Sequence, residues 1–323
     1  MPLSTNAQSI YGVTTIREDL QDALVSISPT ETPFMSSIGN RSVDNTYFEW
    51  PVVSLAAPDT GNRVLEGENA PGNDAPTNAV RLGNYTQISD KTVEVSDTAE
   101  AVNGAGDAQT LAKQIAYKLK ELKRDMERML VDNVGALAGN TTTARRTAGL
   151  PAFLRSNVSR GATGANATLS GTTAGFPNAA ATDGTLRALT ETQLRTVIAA
   201  CWDAGAEPSI VLCSSGVKQK ISSSFTGTAT KFKNVDDKKV VGAVDIYVSD
   251  FNELQIVPTR FIRSRDVFVL DPSYARVAYL QKTKQRELSR TGHSERRLIS
   301  VEFGLQVDTE AGHGIIADID PAL

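Results

Sequence analysis

Residues 107–137 read DAQTLAKQIAYKLKELKRDMERMLVDNVGAL, and in them Leu111, Ile115, Leu119, Leu122, Met126, Leu130, Val134 and Leu137 recur at three- and four-residue intervals. That spacing lays one apolar stripe along an α-helix. Asp107 is placed to cap its start, and Gly139 with Asn140 to stop it, so a helix is predicted over 107–138. The other face carries Lys113, Lys120, Lys123, Arg124, Glu127 and Arg128, read as solvated charges. About thirty residues at 1.5 Å rise give roughly 45 Å, well beyond the mean globular helix. The apolar positions are too weak and the flanking charges too unordered for a coiled coil, which leaves a spine lying beneath a sheet.

Before this helix, residues 45–55 turn strand-like around Tyr47, Trp50, Val52 and Val53. A second strand pattern runs from Val80 and Leu82 to Ile88, Val93 and Val95. The turn-rich stretch from Pro58 to Pro76 separates them, so residues 44–96 read as a long two-stranded hairpin. Twenty residues of strand extend on the order of 60 Å. A two-stranded hairpin is marginal alone in water, so it rests either on a neighbouring copy of the chain or back on its own domain. Residues 1–43 form a polar arm with a weak helical stretch around Ile16, Leu20, Leu24 and Ile27, ended by Ser28 and Pro29.

After the helix, residues 140–185 are rich in Thr, Ala, Gly and Ser, with Leu150, Phe153 and Leu154 as apolar anchors, and read as a long surface excursion. Thr190 and Gln193 form a capping box for a helix through Leu194, Val197, Ile198 and Cys201 that closes at Gly205. A strand over 209–213, a short helix through Val217 and Ile221, and alternating segments from Val244 to Ile319 complete an α+β chain without internal repeats.

Composition narrows the function. The chain has 323 residues, a net charge of −4 and a sequence pI of 5.4, so no overall field draws in phosphate or anionic lipid. The arm holds Arg17 and Arg41 against Glu18, Asp19, Asp22 and Glu31, so it is not a basic nucleic-acid tail. Cys201 and Cys213 have neither zinc-ligand spacing nor a disulfide framework and read as buried thiols. No apolar run is long enough for a membrane span, and Met1–Leu24 lacks a signal-peptide pattern, which places synthesis in a cytosol. The glycosylation triplets at Asn40, Asn84, Asn140, Asn157 and Asn166 carry little weight in such a chain.

Catalytic residue types are sparse. His293 and His313 have no ligand-spaced partner and read as structural. Ser214, Ser215 and Gly216 follow a strand but lack the glycine a nucleophile elbow needs two places earlier, so a helix cap is the better reading. Gly104, Ala105 and Gly106 stand where Gln109 breaks a dinucleotide fingerprint. The carboxylates Asp236 with Asp237, and Asp318 with Asp320, are too few for a cation site and read as solvated. No catalytic, cofactor or metal site is expected.

The order of arm, long hairpin, spine helix, mixed domain and returning strands resembles the major capsid proteins of tailed phages with the Hong Kong 97 fold. The resemblance is sharpened by Glu31-Thr32-Pro33-Phe34, Phe48-Glu49-Trp50, Ser54-Leu55-Ala56-Ala57-Pro58 and Glu66-Gly67-Glu68-Asn69-Ala70-Pro71. It continues through Gly83-Asn84-Tyr85-Thr86-Gln87-Ile88, Val95-Ser96-Asp97-Thr98, Trp202, Gly205, Pro208, Ser249-Asp250-Phe251, Leu270-Asp271-Pro272, Gly292, Glu295, Ala311, His313 and Gly314. A departure falls at Val53 and Ser54, where the pattern has an acidic residue.

The resemblance implies a non-enzymatic subunit of an icosahedral shell of hexamers and pentamers around double-stranded DNA, with each hairpin overlapping an adjacent subunit. It also implies a peripheral domain, 97–185 with 283–323, and an axial domain, 186–282. Inter-subunit contacts are expected at Phe34, Trp50, Arg63, Glu66, Glu68 and Arg81. No lysine precedes Lys91, so a hairpin-tip isopeptide crosslink is ruled out and noncovalent contacts or a decoration protein must stabilise the shell. Since the chain starts at the arm, a separate scaffolding protein is expected, with a portal and nonspecific contact to packaged DNA; assembly would occur in the host cytoplasm. An encapsulin-like compartment is the nearest alternative, followed by a hydrolase or ligand-binding protein and a surface fibre.

Overall fold

The computed structural model describes residues 31–67, 69, 76–102, 110–224, 245–290 and 292–323. Along the chain run α1 (Pro33–Ser37), β1 (Gly39–Ser42), β2 (Tyr47–Val52), β3 (Val80–Tyr85), β4 (Gln87–Ser96), α2 (Asp97–Ala101) and α3 (Thr110–Val131). Next come α4 (Leu150–Phe153), β5 (Val158–Ser159), α5 (Glu191–Asp203), β6 (Ile210–Cys213), α6 (Ser215–Ser224), β7 (Ile246–Val248) and β8 (Glu253–Pro258). The last elements are β9 (Val267–Leu270), β10 (Ala275–Glu287), β11 (Ser294–Val307) and β12 (Gly314–Ile316).

Three sheets organise these elements: β1-β10-β11-β4, β5-β12-β9-β6-β8-β7, and the ribbon β2-β3. In the first sheet, β4 alternates with period two: Ile88, Asp90, Thr92 and Glu94 are exposed, while Val93 and Val95 are buried. The inward face meets α3, where Lys91 pairs with Asp125 at 2.7 Å and Gln87 Nε2 donates to Met129 Sδ at 2.9 Å. Leu122, Met126 and Leu130 of the predicted stripe are buried there, so α3 is a spine beneath a sheet.

The helix is shorter than the predicted 107–138. Asp107 lies outside the described residues, and α3 ends at Val131. Beyond it the backbone bonds to the 140–185 segment instead: Ala136 N–H donates to Pro177 O, and Leu137 pairs with Arg146. Asn133 clamps Ala181 through both its amide nitrogen and its oxygen. Gly135 packs so closely that a Cβ there would stand 2.7 Å from the Ala179 nitrogen. The hydrophobic period continues through Val134 and Leu137, but side-chain spacing does not register this competition for backbone hydrogen bonds. The 140–185 stretch is correspondingly no loose excursion, since Ala148, Leu150, Ala152, Phe153, Leu154, Ala167 and Ala181 are buried.

The second sheet packs against α5 and α6 around Leu194, Val197, Ile198, Cys201, Val217 and Ile221. The capping box of Thr190 and Gln193 opens α5 as the sequence implies. Strand β10 continues across position 282 with register shifts against β11 near Gln281, and β12 from the C-terminal segment pairs with β9 inside the second sheet.

Candidate assembly interface

The hairpin is rooted by polar groups. Buried Asn84 donates to Leu305 O at 2.7 Å and Thr147 Oγ1 at 3.0 Å, and accepts from the Ala148 N–H at 3.0 Å. Thr86 Oγ1 donates to Glu302 Oε1 at 2.8 Å, and Arg145 pairs with the same carboxylate at 2.6 Å. Buried polar groups require such partners, which explains why Asn84 and Thr86 sit inside an otherwise strand-like run. They also break that run. The outgoing strand, read as continuous from Val80 to Val95, divides at Thr86: β3 stays with β2, while β4 joins β11.

The paired ribbon is therefore six residues long, from Tyr47↔Tyr85 to Val52↔Val80, or about 20 Å instead of the expected length. Gly83 lies under Tyr47, whose Oη would be 2.5 Å from a Cβ at that position. Tyr47, Tyr85 and Phe176 cluster on one side, with Phe48, Trp50 and Phe153 on the other. Past Val52 all residues of 53–67 are exposed, including Leu55 at 84%, Val64 at 69% and Leu65 at 77%. Exposed apolar side chains gathered on one segment are the kind of surface that a partner covers.

The predicted contact residues divide accordingly. Phe34 is 0% exposed and Trp50 4%, so both rings lie in their own subunit's core. Arg63 and Glu66 are exposed on the loop, Arg81 pairs with Glu49 at 3.4 Å, and Glu68 lies outside the described residues.

A residue read as solvated proves central to the arm. Glu127 is fully buried and accepts the N–H groups of Phe34 at 2.8 Å and Met35 at 2.9 Å, holding the start of α1 against the spine. Burial pushes its carboxyl above the ordinary range, and the two N–H groups partly counter this. Its position beside Met126 and three and four residues before Leu130 and Val131 is the signal that places it on the inward face.

The residues weighed for chemistry have structural work. Ser214 caps α6, accepting from Val217 N–H at 3.5 Å and donating to Ser264 O at 3.4 Å. Burial pushes the Cys201 and Cys213 thiols up to about 12. His313 is buried and accepts the Asp271 N–H at Nδ1, 3.4 Å away. Asp318, read as solvated, is instead 0% exposed. It accepts from the N–H groups of Gly161 and Gly184, both at 2.9 Å, and from Arg265 at 2.6 Å. Burial raises its pKa, but these donors outweigh burial and hold it below the ordinary carboxylate value. Asp236 and Asp237 lie outside the described residues.

Among the described residues no group of three or more His, Cys, Asp or Glu side chains is placed to hold a metal ion, and no helix is long and apolar enough to cross a membrane. A groove of about 250 Å³ is lined by Glu31, Pro33, Ser215, Pro258, Thr259, Arg260 and Phe261.

Comparison with known proteins places these surfaces in context. The SU10 major capsid protein family matches residues 4–320. The major capsid protein of Escherichia phage Phieco32 is 38% identical over 105 residues, a match spanning 32% of this chain and 30% of that relative. Among solved structures, the Cyanophage A-1(L) capsid asymmetric unit superposes with a TM-score of 0.67 at 14% identity, covering 94% of this chain and 97% of that one. The SrpI encapsulin of Synechococcus elongatus PCC 7942 superposes at 0.59 and 10% identity, covering 98% and 97% respectively. At these identities the structural matches bear on fold alone.

Proposed function

Because this chain belongs to the SU10 major capsid protein family and has the Hong Kong 97-type fold, we propose that it assembles with copies of itself into the icosahedral head that encloses double-stranded phage DNA. The observation that carries this reading is the exposed loop 53–67, which presents Leu55, Val64 and Leu65 on a ribbon whose root is locked into the subunit. An isolated ribbon gains little by exposing such side chains, whereas a ring of subunits buries each loop on the next.

In this reading the first sheet with α3 forms a peripheral unit and the second sheet an axial unit near the capsomer centre, with hexamers and pentamers as the assembly intermediates. The work is done by interfaces and no reaction is catalysed. Assembly takes place in the host cytoplasm on a separate scaffolding protein and a portal, and packaged DNA is contacted without sequence preference.

The test is electron microscopy and light scattering of the purified chain, expressed alone and then with a candidate scaffold. Closed shells or capsomers are the expected result. A strictly monomeric species under both conditions overturns the reading, and copurified cargo enzymes inside DNA-free shells reassign the chain to an encapsulin-like compartment.

A further inference from the structure

We propose that the open side of α3 is the surface on which this subunit meets packaged DNA, with Lys120, Lys123 and Arg124 set against the phosphate backbone. The proposal rests on the reading of the chain as the shell of a DNA-filled head and names the surface that faces the contents.

Helix α3 concentrates positive charge in an acidic chain. Residues 110–131 hold Lys113, Lys118, Lys120, Lys123, Arg124 and Arg128 against Glu121, Asp125 and Glu127. Six cations less three carboxyl groups leave +3, whereas the whole chain stands at −4. Lys113, Tyr117, Lys120, Arg124 and Arg128 follow one another at three- and four-residue steps, so they share one side of the helix. The side turned to the sheet is the one with Leu122, Met126 and Leu130, all buried. The far side is open: Tyr117, Lys120, Lys123 and Arg128 are exposed, and Lys113 and Arg124 are partly so.

The carboxyl groups of this helix surface are already engaged. Glu121 pairs with Lys118 at 2.8 Å, Asp125 with Lys91 at 2.7 Å and Asp132 with Arg128 at 3.4 Å, while Glu127 is buried. Lys120, Lys123 and Arg124 have no anionic partner among the described residues. Phe261 fixes the end of the row: the Arg124 guanidinium carbon lies 5.9 Å from the centre of its ring, and Arg128 donates to its carbonyl oxygen at 2.6 Å. Arg260, next to it in sequence, is exposed and adds a further cation.

The kind of partner follows from what this side lacks. A docked protein needs apolar area to bury, and Tyr117, 38% exposed, is the large apolar side chain that α3 presents. Between the cations stand only small residues such as Ala112 and Ala116. A phosphate backbone asks for nothing more than cations at intervals. From Lys113 to Arg128 the helix runs about 22 Å at 1.5 Å rise per residue, alongside a duplex with one charge per about 1.7 Å. Contacts to phosphate carry no base information, so the surface accepts any sequence, as a shell around a whole genome requires.

The test measures binding of a short mixed-sequence DNA duplex to capsomers of the full-length chain by fluorescence anisotropy over a range of salt concentrations. Lys120→Gln with Lys123→Gln is expected to weaken binding about tenfold at low salt and to reduce the slope of log affinity against log salt by about 2, while shells still form. Lys282→Gln with Lys284→Gln, exposed on β10, is expected to leave both unchanged. In DNA-filled heads, ultraviolet crosslinking should attach nucleotides to the peptide containing Tyr117. A slope that moves only with the β10 pair, or adducts confined to peptides elsewhere in the chain, overturns the proposal. Fewer shells at unchanged DNA affinity assign this side of α3 to a protein partner and overturn it as well. A parent chain that forms neither shells nor capsomers defeats the capsid reading and the proposal with it, whereas shells with an unchanged slope defeat the proposal alone.

Discussion

The carboxyl group of Glu127 accepts the Phe34 backbone N–H at 2.8 Å, so the arm is attached to the spine through a buried polar contact and not through apolar contact alone. Replacing Glu127 with Ala strands two N–H groups and opens a cavity. The expected loss is about 2–4 kcal/mol in urea unfolding of the subunit, with Glu127→Gln losing less because one acceptor remains. A Glu127→Ala variant as stable as the parent would remove the anchor from the account.

Trp50 and Leu55 sit five residues apart on one chain, but Trp50 is buried in the subunit core while Leu55 is exposed on the loop. Trp50→Ala is expected to cost about 3–5 kcal/mol of subunit stability, because the ring packs against Phe48 and Phe153. Leu55→Ser with Val64→Ser should leave subunit unfolding within about 0.5 kcal/mol of the parent while reducing shell formation. Calorimetry of subunits beside sedimentation of assembly reactions separates the two effects.

Asp318 ties the 155–187 segment to the C-terminal strand region through Gly161, Gly184 and Arg265. Asp318→Ala removes all three acceptor contacts and leaves Arg265 with Asp183 as its remaining carboxylate. A loss of about 3 kcal/mol is expected, together with faster proteolytic cleavage within 155–187.

The pH profile carries two opposed contributions. Burial depresses His313 to about 4, so it is neutral when folded while the unfolded chain titrates near 6.5. Its contribution is complete above pH 6.5 and is lost as pH falls towards 4, by about 3 kcal/mol. Asp266, raised to about 6 mainly by burial, works the other way, since folding gains as pH falls through that value. His313→Gln should therefore flatten the acid limb between pH 6.5 and 4 relative to the parent in denaturant titrations. An unchanged limb would show that His313 is not protonated selectively in the unfolded chain.

Features set by local chemistry were legible in the sequence. The stripe through Leu122, Met126 and Leu130, the Thr190–Gln193 box, the Ser214 cap and the buried thiols all follow from spacing and residue type. Features set by long-range polar contacts were not. Val134 and Leu137 keep the helical period while the Val134 carbonyl accepts the Gly149 N–H and Leu137 pairs with Arg146, and Thr86 looks like one more strand position until Glu302 is beside it. The motifs around Phe34 and Trp50 mark both residues as constrained, but the burial of both rings within the subunit is visible only in the packed structure.

The division of the outgoing strand at Thr86 bears on how a shell carries load. Tension along the loop passes through β3 directly into β4, whose ten residues are paired with β11 in one uninterrupted ladder. Sliding β4 along its neighbour shears all ten pairs together, whereas peeling would open them singly. The joint is thus arranged to fail late under stretching, so a head swollen from within draws its resistance from the first sheet of every subunit at once.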